Sequence, residues 1–181
     1  MPKQLSPQEV FETAHLLSQM KQDQIDAMIV DLRAEQPAVY DYFDAMHRVF
    51  PDEQEWNDVV GIGYTIWQIL KRTGVPPGRI TEEMIIRASE DLERQMSHMV
   101  PGSAEAARKV GTQMALSCPE PAMLLHLSYA LKQVGAGWSG ETFVRAFRML
   151  RILLDAFLAG RRQQGRRGKV PARRLPPMGR A

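Results

Sequence analysis

A single cysteine, Cys118, in 181 residues excludes an intrachain disulfide and the multi-thiolate set of a structural zinc site. One free thiol fits a reducing compartment. Long apolar runs are missing too: the longest stretch, Val59 to Leu70, is broken by Gly61, Gly63, Tyr64, Thr65 and Gln68, well short of the roughly 20 apolar residues that span a bilayer. No membrane span is expected. The opening "MPKQLSPQEV" has one lysine and no apolar block behind it, unlike a secretory signal, so the expected location is the cytoplasm. No segment alternates polar and apolar residues as a half-buried strand does.

Catalytic constellations are equally scarce. No G-x-S-x-G elbow is present for a serine nucleophile. Cys118 lies between Ser117 and Pro119 with no basic residue adjacent in sequence to activate it. Glu12-x-x-His15 and Asp44-x-x-His47 have the spacing of carboxylate and histidine ligands in di-metal bundles. On helical wheels, however, both pairs fall opposite the apolar arcs, Val10/Ala14/Leu17 and Val39/Tyr42/Phe43/Met46/Val49/Phe50. His98 falls on a polar side and His126 flanks an apolar one. The expectation is a protein with no enzymatic activity, no metal and no cofactor.

What the chain does contain is helical periodicity in nearly every segment. Ser6 caps a helix from Pro7 to about Met20, with Glu9 completing a capping box. Further helices are expected at Gln24–Gln36, Pro37–Phe50 and Glu53–Thr73, the last followed by the loop "VPPGRI". Thr81 opens another that reaches Met99; Ala104–Ser117 has a thin apolar stripe, and Pro121–Val134 follows "CPEP". Ser139 caps the last, with Trp138 and Phe143 as a hydrophobic staple, ending near Gly160. The fold class is therefore all-α: one bundle of about eight helices over residues 1–160, with the fourth and eighth helices central, and a flexible basic tail over 161–181. "EQPAVYDYF" (Glu35–Phe43) echoes "PEPAMLLHL" (Pro119–Leu127), which raises two related helical halves as an alternative to coincidence.

The net charge of +2 conceals an asymmetry. Eight of the 23 basic residues lie from Arg161 onward with no acidic one, so the remainder has 15 basic against 21 acidic groups, a net −6. Arg145, Arg148 and Arg151 recur at three-residue spacing on the preceding helix. With Arg161, Arg162, Arg166, Arg167, Lys169, Arg173 and Arg174 they form a candidate partner- or phosphate-contacting feature. The tail lacks aromatics for stacking on bases, so any nucleic-acid contact would run through the backbone.

A second candidate surface comes from helices apolar on two sides. Leu125 and Tyr129 fall off the main arc of their helix, as do Met149 and Ile152 off theirs, which marks either a central position or an interface. In "DVVGIGYTIWQILKRTG", Gly63 falls within the apolar arc while Gly61, Thr65 and Gln68 share a narrow polar strip, a candidate pocket. No strand precedes the two glycines, so G-x-G here is not a phosphate loop. The leading functional expectation is a scaffold that docks a protein partner or self-associates as a homo-oligomer. Alternatives are a nucleic-acid-associated protein and a small-molecule- or lipid-binding bundle with a cavity beside Gly63.

Overall fold

The computed structural model describes residues 4–73, 76–97 and 118–167, with side chains as far as 164. Among these are seven α-helices: α1 (Pro7–Ser18), α2 (Gln22–Glu35), α3 (Pro37–His47), α4 (Glu53–Arg72), α5 (Glu82–Ser97), α6 (Pro121–Val134) and α7 (Gly140–Arg167). A 3₁₀ turn, Gly135–Gly137, joins the last two. The helix expected at 104–117 lies outside the described residues, as does His98.

Side-chain caps set the starts of α1, α4 and α7. The Ser6 hydroxyl accepts from Glu9 N–H at 3.2 Å while Glu9 Oε2 accepts from Ser6 N–H at 2.8 Å, the reciprocal box expected. Asp52, which carries no weight in the sequence reading, caps α4 by accepting from Glu55 N–H at 2.9 Å. Ser139 Oγ accepts from Thr142 N–H at 3.0 Å, and Trp138 and Phe143 converge beside Gly135 as a staple would. α1 ends at Ser18 rather than Met20 because Gln19 and Met20 bond back three residues, to Leu16 and Leu17 carbonyls, tightening the last turn. α3 likewise stops at His47, not Phe50; Val49 and Phe50 bond to Met46 and His47 carbonyls, and Phe50 turns in against Trp56.

One contiguous cluster of buried apolar residues runs from Leu5 to Leu158. α4 packs against α1, α2, α6 and α7, and α7 against α4, α5 and α6, so these two are the central helices. Residues 149 to 154 of α7 are buried without a break, as in a helix covered all round. α4 and α7 approach closely at Gly63. A Cβ there would lie 2.6 Å from Phe43 Cζ and 3.4 Å from Leu150 Cδ2. The space beside Gly63 is thus filled by Phe43 and Leu150, which corrects the expectation of a cavity at that residue.

The largest correction concerns the end of α7. Gly160 does not end it; the helix continues to Arg167. Gly160 is instead a crossing point, since a Cβ there would lie 2.6 Å from Ile80 Cδ1 and 3.3 Å from the Gly78 carbonyl of the loop before α5. That loop is held by buried Gln36, whose Nε2 donates to Gly78 O at 3.2 Å and whose Oε1 accepts from Ile80 N–H at 2.8 Å.

Candidate docking groove

α3 ends in a turn whose last residues lie against the first half of α7, and side chains from both leave a groove of about 630 Å³. Tyr42, Met46, Val144, Met149 and Ile152 supply its apolar lining, and Arg145 and Arg148 also line it. The lining is reachable: Val144 is 50% exposed and Val49, at the α3 end, 41%. Burial pushes the Tyr42 phenol up to about 12 against the smaller opposing effect of Arg148, so its hydroxyl stays protonated at neutral pH.

Intramolecular partners hold both arginines. Arg145 Nη2 bonds Glu141 Oε1 at 2.7 Å and Arg145 Nη1 bonds the Val49 carbonyl, while its guanidinium lies 5.9 Å from the Phe50 ring centroid. Arg148 Nη2 bonds Glu93 Oε1 at 3.0 Å. These contacts fix α3 and α5 to α7 at the groove.

The arginine series read from the sequence does not form one continuous face. Arg151 is 2% exposed and donates from Nε to Asp155 Oδ2 at 2.8 Å, so it is no surface phosphate contact. Arg161 is buried as well: Nη1 bonds Glu120 Oε1 at 3.0 Å and Nη2 the Thr73 carbonyl at 3.3 Å. Both are corrections to the expected basic surface. Arg162 is exposed. Arg166 and Arg167 lie within the backbone of α7, and Lys169, Arg173 and Arg174 lie outside the described residues.

The expected interface residues divide in the same way. Leu125 and Tyr129 are half exposed on α6, where Tyr129 meets the Phe11 ring of α1 edge-on with centroids 5.8 Å apart. Met149 and Ile152 are buried, yet they line the groove. The polar strip on α4 does not gather as expected. Nothing lies within 4 Å of where a Gly61 Cβ would be, Thr65 Oγ1 donates back to the Gly61 carbonyl at 2.9 Å, and Gln68 is buried and accepts from Arg72 Nε at 3.4 Å. A separate cavity of about 260 Å³ is lined by the aromatic residues Tyr40, Phe43, Trp56 and Tyr64 with His47 and Asp44.

Glu12 and His15 are exposed on α1, and His15 Nε2 contacts Gln19 Nε2 at 3.0 Å. His47 stacks on Trp56 with centroids 4.9 Å apart and bonds Glu53 at 2.9 Å, which makes it a packing residue. Cys118 is buried, and burial pushes its thiol up against smaller opposing effects from the Glu120 backbone and Arg151. His126 is buried with neither ring nitrogen partnered, and burial lowers its pKa. The polar residues missed by sequence reasoning, Gln36 and Glu120, each stand one position before a helix-opening proline. Their spacing to Ile80, Leu5 and Arg161 carries no local signal. No protein-family model, curated protein or solved structure matches the chain.

Proposed function

We propose that this protein is a non-enzymatic interaction module that docks an amphipathic helix of a protein partner in the groove between α3 and α7. The observation that carries the reading is an accessible apolar groove of about 630 Å³ lined also by Arg145 and Arg148. Apolar side chains spaced one turn apart on a partner helix would enter it. The nucleic-acid alternative loses support from the same residues, since Glu141 and Glu93 already offset Arg145 and Arg148. Arg151 lies too deep to meet a backbone phosphate.

Photo-crosslinking from Val144, an exposed groove position, tests the proposal in extract of the source cells with and without nuclease. The expected product is a nuclease-resistant protein adduct whose captured peptide is amphipathic. It should disappear in Val49→Glu while the melting temperature stays unchanged. Adducts to a second copy of the chain would replace the foreign partner by self-association. Nucleic-acid adducts alone, or protein adducts indifferent to Val49→Glu, would overturn the reading.

A further inference from the structure

A second cavity, of about 290 Å³, lies between α5 and α7 beside Pro119 and is independent of the docking groove. Its polar lining includes Arg87, Asp91, Arg151, Asp155, Arg162 and Gln163. The feature that sets it apart is Arg151. Its side chain is 2% exposed, and among the described residues only Nε is hydrogen-bonded while buried Nη1 has no partner. A buried donor without a partner is costly, more so on a charged group, and such atoms in folded proteins call for an explanation.

We infer that this cavity is a binding site for a small oxyanion of the phosphate or carboxylate class, with Arg151 as its fixed floor and Arg87 and Arg162 as its mobile rim. The charge balance favours an anion. Asp155 and Arg151 offset each other as an ion pair and Asp91 is paired with Arg94, which leaves Arg87 and Arg162 as the excess charge at the cavity. Arg162 has no ion-pair partner among the described residues, and Arg87 lies near exposed Glu83. Guanidinium groups match oxyanions through paired N–H donors, and one held in place by Asp155 loses little freedom on binding. The cavity's volume stands at the lower limit of ligand pockets, which suits a small anion and not a polymer backbone. The Asp155 carboxylate orients the fork, and the anion would complete it.

The test is thermal unfolding of the full chain in rising inorganic phosphate and, separately, succinate, each against sodium chloride at matched ionic strength. One or both oxyanions should raise the melting temperature saturably beyond chloride, since a ligand bound only by the folded state stabilises it. Phosphate alone or succinate alone would distinguish the two chemistries. Because Arg151 is buried and its replacement would disturb packing, the variant is the exposed pair Arg87→Gln/Arg162→Gln. It should melt normally in chloride and weaken the oxyanion affinity at least tenfold, the equivalent of about 1.4 kcal/mol. Shifts that match those in chloride, or that persist undiminished in the double variant, would overturn the assignment.

Discussion

Gly61 and Gly63 stand two positions apart on one helix and meet opposite surroundings. A methyl group at Gly61 would touch nothing within 4 Å, whereas one at Gly63 would press on the Phe43 ring at 2.6 Å. Alanine relieves the backbone entropy that glycine brings to a helix interior, worth about 1 kcal/mol. At Gly61 that gain is unopposed, so Gly61→Ala should stabilise the protein by up to about 1 kcal/mol. At Gly63 the ring must move within a packed core, where overpacking costs about 1–3 kcal/mol, so Gly63→Ala should destabilise. Urea unfolding of both variants checks the pair, and equal shifts of one sign would show that the α4–α7 approach does not constrain Gly63. This contrast was legible from the helical wheel, because face is a local property of the sequence. The role of Gly160 was not: it depends on a loop about 80 residues away, and by local pattern a glycine after an apolar run reads as a helix end.

At the scale of elements, α6 presents His126 to α1, where its ring meets Phe11 edge-on with centroids 5.8 Å apart and neither nitrogen has a hydrogen bond among the described residues. Burial lowers its pKa from the ordinary 6.5, so the folded protein holds this imidazole neutral while the unfolded chain protonates it more readily. The unfolded state then binds more protons as the pH falls below 6.5, and stability must fall with it. The slope is bounded at about 1.4 kcal/mol per pH unit for one proton, down to the lowered folded pKa. His126→Leu should flatten the decline in melting temperature between about pH 7 and pH 5 and, by removing two unpartnered polar atoms, should not destabilise at neutral pH. An unchanged acid slope in that variant would place the titration elsewhere. The two Pro-Ala helix starts also gain a structural parallel at this scale. Gln36 and Glu120 share a position and a similar backbone, φ −133° and ψ 59° against φ −128° and ψ 79°, and each turns a buried side chain toward a distant segment.

For the molecule as a whole, helices were legible because their period, caps and proline stops are written within a few residues. The locks between them were not, because Leu5, Thr73, Glu120 and Arg161 meet only after folding. Glu120 Oε2 accepts from Leu5 N–H at 3.0 Å while Oε1 takes Arg161, which also reaches the Thr73 carbonyl. One ion pair thus ties the start of the chain, the end of α4, the approach to α6 and the last turns of α7. The same pair moves the end of the folded unit beyond Gly160. Removing 161–181 would leave Glu120 buried without its counter-charge, and breaking a buried pair costs about 3–5 kcal/mol. Removing only 168–181 leaves the pair intact and should change unfolding little. Glu120→Gln in the shorter chain should restore part of the loss, because the orphaned charge is gone while an acceptor for Leu5 remains. Urea midpoints for the three chains check this ordering; equal stability of the two truncations would mean that Arg161 contributes nothing to the fold.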